Sequence, residues 1–130
     1  MDRLFLDANV LFSAAYRDDA GLLRLWKLSN ARLCSSRNAV EEARINLDGS
    51  QRIRLAHLVE VVELFESVEG KLPRGVSLPD KDVPILLAAI AARATHLLTG
   101  DIRHFGRYFG KTIAGVLISL PGEYLGRFHN

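Results

Sequence analysis

Four segments of this chain set a carboxylate beside a short apolar run. RLFLDANVLF carries Asp7 in its middle. VEEARINL carries the adjacent pair Glu41 and Glu42. LPDKDVPILL carries Asp80 and Asp82, and HLLTGD ends on Asp101. Two carboxylates about 4 Å apart repel by about 4 kcal/mol at an effective dielectric near 20. Four in one pocket do not all stay ionised without a cation, so either some hold protons or the pocket binds a metal. Hard oxygen donors with room for water suit Mg²⁺ or Mn²⁺. A divalent ion at such a cluster polarises a phosphodiester and lowers the pKa of a bound water. No Cys/His spacing offers a zinc site, and no glycine-rich phosphate loop is present.

Positioning these acids requires strand ends and helix starts. Arg3 to Leu6 reads as a buried strand of parallel type, apolar on both faces. Ala8 to Ala15 opens a helix. Asp18 and Asp19 are expected to cap a second one, Gly21 to Leu28. Residues 31–35 (ARLCS) read as a second strand. Ser35 or Ser36 then caps the helix that holds Glu41 and Glu42 and ends near Asp48–Gly49. Ser50 begins a helix with Ile53, Leu55, Leu58, Val61, Val62 and Phe65 at helical spacing, and Glu66 to Val68 reads as a third strand. Residues 70–79 (GKLPRGVSLP) are a loop within one domain rather than a linker.

Asp80 or Asp82 is expected to cap the helix Val83 to Ala94, with Pro84 in its first turn, where the missing N–H costs nothing. His96 to Thr99 reads as a strand, Ile102 to Tyr108 as a short helix, Lys111 to Ile118 as holding the last strand, and Pro121 as the start of a final helix. Strands separated by helices imply a parallel sheet covered on both faces. Ligands of such sheets bind beyond the carboxyl ends of the strands, at the switch point. That rule takes Asp7 out of the core, where an unpaired charge is costly, and puts it on the rim. Asp101 lies just past a strand end, and Asp82 starts a helix leading into that strand, so all three can face one place.

The 130 residues suit a single domain spanning 1–130. The longest apolar stretch, Ile85 to Ala92, is too short to span a bilayer. Asp2 and Asp7 interrupt any apolar leader, and the single Cys34 cannot form an internal disulfide, so a reducing cytoplasm is the expected location. Net charge is only +2, but residues 71–130 hold 8 basic and 4 acidic side chains against 9 and 11 in residues 1–70. A basic surface around an acidic spot suits a polyanion whose phosphate is held by metal; a solvated surface of mixed charge is the plainer reading.

The runs LDANVLFSA at 6–14, EEARINL at 41–47 and PDKDVPILLAAIAARATHLLTGDIRHF at 79–105 resemble, in content and order, those of the PIN-domain nucleases. The resemblance covers nearly the whole chain, and the 79–105 stretch is its most specific part. It implies a Rossmann-like three-layer α/β/α sandwich with a central parallel sheet, a pocket of three or four acids, Mg²⁺ or Mn²⁺, and cleavage of RNA. Many small members are toxins of the VapC type, neutralised by a small antitoxin protein and often homodimeric. Carried over by position, Asp7, Glu42, Asp82 and Asp101 are the metal-binding and catalytic set, with Glu41 and Asp80 as alternates, and Asn9 and Thr99 support the site by hydrogen bonds. Glu42 is favoured over Glu41 because it directly precedes the A-R-x-N-L run; only one of two helical neighbours about 100° apart can face the metal. The family more often has a hydroxyl where this chain has Ala8.

The implied activity is a metal-dependent endoribonuclease, either the toxin of a toxin–antitoxin pair or a nuclease of RNA maturation or turnover. A non-catalytic RNA-binding module of the same fold is the rival from another class. A phosphoacceptor of receiver type is set aside because Lys111 is poorly placed for it. Trp26, Tyr108 and Phe109 read as core packing rather than base-stacking platforms, and His104 as a packing residue near Phe105 rather than an RNA contact. Arg103, Arg107 and Lys111 are candidates for phosphate contact or for a plain exposed face.

Overall fold

The computed structural model describes residues 1–127. Its centre is β1 (Asp2–Leu6), whose Leu4, Phe5 and Leu6 are fully buried. A strand apolar on both faces needs cover on both faces, and parallel neighbours provide the edges. β2 (Ala31–Ser36) pairs with one edge of β1, and β4 (His96–Leu98) with the other. β3 (Glu63–Phe65), β5 (Thr112–Ile113) and β6 (Val116–Ser119) complete a six-stranded sheet of order β3-β2-β1-β4-β6-β5. The chain builds outward from β1 in one direction, then returns to its other side. The switch point therefore lies between the carboxyl ends of β1 and β4.

The sheet is flanked by helices. α1 (Ala8–Tyr16), α2 (Arg37–Ile45) and α3 (Gly49–Val59) pack on one another, and α4 (Val83–Ala91) lies against β2 and β4. α5 (Ile102–Phe105) and α6 (Pro121–Gly126) are short. Ser36 ends β2 and caps α2 by accepting from the Ala39 N–H at 3.0 Å. Ser35 donates to the Leu6 carbonyl at 2.6 Å, tying β2 to the end of β1. The Cys34 thiol is buried in the core, and that burial pushes its pKa up to about 11, so it is an inert packing group. Among the described residues no helix is long and apolar enough to cross a membrane.

The structure departs from the sequence reading in five places. Gly21–Lys27 is a 3₁₀ helix with Ala20 at its cap position and no side-chain cap. Asp18 and Asp19 do not cap it; both are exposed, and Asp19 instead pairs with Arg17. The third strand comes earlier than Glu66–Val68, because α3 stops at Val59 and Leu64 and Phe65 supply the half-buried side chains. α4 ends at Ala91 rather than Ala94, since Arg93 turns into the left-handed region at φ 54°. The span Ile102–Tyr108 splits into α5 and a 3₁₀ turn, Gly106–Tyr108. The last strand is a hairpin: Ala114 and Gly115 both take positive φ, as a tight two-residue turn requires, so β5 is antiparallel and the sheet is mixed.

Candidate active site

Asp7 stands at the carboxyl end of β1 in extended conformation and serves as the N-cap of α1. One carboxylate oxygen accepts the Ala8 N–H at 2.7 Å. The other accepts from the Thr99 hydroxyl at 2.8 Å and the Asn9 amide at 3.2 Å. Thr99 follows β4 directly, so two adjacent strand ends meet through this contact. The Thr99 oxygen also accepts the Asp101 N–H at 3.1 Å, and Asn9 accepts the Gly100 N–H at 2.7 Å. The TGD turn is thereby bound to the start of α1. A Cβ on Gly100 would lie 3.3 Å from the Asn9 oxygen, so this close approach favours glycine.

Asp7 is 5% exposed. Burial pushes its pKa up to about 6; the bonds from Thr99 and Ala8 pull it back, and the charges of Asp82 and Glu42 push it further up. Asp82 is also raised, first by burial and then by Asp101, with His104 and Lys81 opposing. Two carboxyls held above their ordinary range in one cleft mark a candidate functional site.

Asp7, Glu42, Asp82 and Asp101 come from four separate segments and line one open hollow of about 290 Å³, together with Asn9, Lys81 and Gly100. Glu41, one position from Glu42, is exposed and forms a bidentate pair with Arg44 at 2.6 and 2.8 Å. Asp80 is exposed and does not line the hollow. Neither Asp80 nor Asp82 makes the expected cap hydrogen bond of α4. Asp82 holds the cap position without making a cap hydrogen bond, because its side chain turns toward Asp101 and His104.

His104 was read from sequence as a packing residue. Instead its Nδ1 lies 2.9 Å from an oxygen of Asp82 and 2.9 Å from an oxygen of Asp101. Lys81 also escaped the sequence reading, although it sits between the two candidate acids of PDKD. Trp26 donates to the Leu58 carbonyl and packs on the core. Tyr108 is buried and holds the 66–82 loop: its hydroxyl accepts the Ser77 N–H at 2.8 Å and donates to the Ser77 carbonyl at 3.1 Å. Phe109 packs against the core, and Arg103, Arg107 and Lys111 are exposed.

The donor set fits a hard divalent cation. Side chains of Asp82, Asp101 and His104 offer ligand atoms that all lie within 4.8 Å of one another. The Asp82 side chain is 9% exposed, and its Oδ2 is buried without a hydrogen-bond partner. Its one close contact, the His104 ring nitrogen at 2.9 Å, is not aligned as a hydrogen bond, so a cation would complete the surroundings of this oxygen.

Acids from four segments thus converge at the switch point of a Rossmann-like sheet. The chain belongs to the PIN-domain family, whose model matches residues 3–103 and so spans all four acids. No curated protein matches the chain in sequence at a significant level. Among solved structures, it is similar to VapBC2 from Rickettsia felis bound to a DNA fragment from their promoter. That match has 18% identity and a TM-score of 0.67, covering 91% of this chain and 98% of that one. It is also similar to VapBC-1 from nontypeable Haemophilus influenzae, at 18% identity and a TM-score of 0.57, covering 92% and 98%. At such identity the likeness is one of fold.

Proposed function

We propose that the chain is a divalent-cation-dependent endoribonuclease and the toxin of a toxin–antitoxin pair. The observation that carries the nuclease reading is the convergence of Asp7, Glu42, Asp82 and Asp101 on one solvent-open hollow at the switch point. Family membership and the fold likeness to VapBC proteins support the toxin assignment. By the same resemblance the chain is expected to bind a small antitoxin and to form a homodimer.

In this reading Asp7, Asp82, Asp101 and Glu42 hold Mg²⁺ or Mn²⁺. When bound, such an ion neutralises phosphate charge and lowers the pKa of water toward neutrality. The chain's own residues prepare that chemistry. Thr99 and Asn9 fix one oxygen of Asp7, and the Ala8 N–H fixes the other. The Thr99 contact to the Asp101 amide keeps the two strand-end acids in register. Lys81, exposed at the rim of the hollow, supplies positive charge for a phosphate. No histidine base is needed. A second hollow of about 350 Å³, sharing Asn9 and Glu42 with the first, lies beside it over Phe12.

Purified protein incubated with end-labelled single-stranded RNA tests this. Cleavage is expected with Mg²⁺ or Mn²⁺ and is abolished by EDTA and by Asp101→Asn. Cleavage that survives chelation refutes the metal mechanism. Binding without cleavage at every metal tried leaves the non-catalytic module. Induction of the wild-type chain, but not of Asp101→Asn, is expected to arrest bacterial growth; unimpaired growth, with cleavage intact in vitro, points instead to RNA maturation.

A further inference from the structure

We infer that His104 Nδ1 is itself a ligand of the cation held by Asp82 and Asp101, and that this nitrogen biases the site toward first-row transition ions over Mg²⁺. The inference rests on the cation reading above and adds to it one named ligand and a selectivity. Nδ1 stands 2.9 Å from one oxygen of each carboxylate. An imidazolium paired with carboxylates would aim its N–H along one of those contacts. Here it does not: both Nδ1 and Asp82 Oδ2 are buried, and neither has a hydrogen-bond partner. The two atoms stand 2.9 Å apart, within ion-pair distance but without the alignment of a hydrogen bond.

That arrangement is what neighbouring ligands of one ion look like. In an octahedral shell with bonds of about 2.1 Å, adjacent ligand atoms are about 3.0 Å apart. The 2.9 Å separations match that edge on both sides of the ring nitrogen. The local fold holds the ring there. Asp101 caps α5 by accepting the His104 N–H at 3.0 Å, which leaves its other oxygen for the cluster. Phe105, the next residue, is fully buried and fixes the rotation of the helix. A neutral ring with its proton on Nε2 presents the Nδ1 lone pair inward. Imidazole nitrogen is a softer donor than carboxylate or water, and Mg²⁺ accepts it reluctantly, whereas transition ions bind it well.

The test uses the intact chain loaded with one equivalent of Mn²⁺ and pulsed electron paramagnetic resonance. Echo modulation from a directly coordinated ¹⁴N is expected in the wild type and is lost in His104→Ala. Mn²⁺ affinity, by calorimetry, is expected to fall at least about tenfold in that variant, with Mg²⁺ affinity changing less than about threefold. His104→Gln serves as a second variant, and a wild-type spectrum without nitrogen modulation overturns the inference whether or not either variant folds. Stoichiometric Mn²⁺ without nitrogen modulation overturns the inference and leaves the acid site standing. Modulation that persists in folded His104→Ala or His104→Gln assigns it to another histidine and also overturns the inference. Absence of any stoichiometric Mn²⁺ binding overturns both the inference and the reading beneath it.

Discussion

Replacing Asp7 by asparagine should change how stability depends on pH, not merely its level. In ion-free protein the folded-state pKa of Asp7 stands at about 6, against an ordinary value of 3.8, with burial as the main cause. A raised carboxyl binds more protons folded than unfolded between those two values. Its favourable contribution is therefore complete below pH about 4 and is lost as pH rises through about 6. Two units at 1.36 kcal/mol each give a loss of up to about 3 kcal/mol between pH 4 and pH 8. Asp7→Asn cannot titrate, so it escapes that loss. It carries its own cost: the amide keeps one acceptor for the Ala8 N–H but meets the Asn9 amide and the Thr99 hydroxyl, both donors to the native oxygen. At about 1 kcal/mol for each disturbed bond, the variant is less stable than wild type at pH 4 by about 1–2 kcal/mol. By pH 8 it should equal or exceed wild type. Urea unfolding of both proteins in EDTA, at unit steps from pH 4 to pH 8, measures the difference directly. Two stability profiles separated by a constant offset would refute the burial argument.

Other substitutions separate structural from functional groups. Thr99→Val removes the hydroxyl that serves both Asp7 and Asp101; a loss of about 2–3 kcal/mol in urea unfolding is expected. Glu41→Gln should leave RNA cleavage within about twofold of wild type, whereas Glu42→Gln should lower it at least about tenfold. A reversed order would exchange their roles. Gly100→Ala must displace Asn9, since the new Cβ would stand 3.3 Å from its oxygen; about 1 kcal/mol of stability is expected to go, with weaker Mn²⁺ binding by calorimetry. Tyr108→Phe frees the loop at Ser77 and should speed limited proteolysis within 66–82 while costing about 1 kcal/mol.

Much of the frame was legible because it rests on local rules. The apolar run of β1 and the strand-to-helix turns after Leu6 and Leu98 place Asp7 and Asp101 at the carboxyl ends of two adjacent strands. Pro84 marks the first turn of α4 and so locates Asp82. What escaped needed three-dimensional information. The helical pattern alone cannot choose between Glu41 and Glu42; the family resemblance favours Glu42, and in the structure Arg44 occupies Glu41 while the hollow lies beside Glu42. His104 lies on a four-residue helix too short to show a period, and only the approach of Asp82 from a distant segment gives it a role. The hairpin at Ala114–Gly115 was missed because Ala-Gly is an uncommon pair for a turn that wants positive φ at both positions.

The central claim is that carboxylates from four segments make one cation site. Crystals soaked in Mn²⁺ test it through anomalous scattering. A peak is expected among Asp7, Glu42, Asp82 and Asp101, with carboxylate oxygens about 2.0–2.3 Å away, that disappears in Asp101→Asn crystals. A well-diffracting soaked crystal with no peak there, or with its peak elsewhere on the molecule, would contradict it.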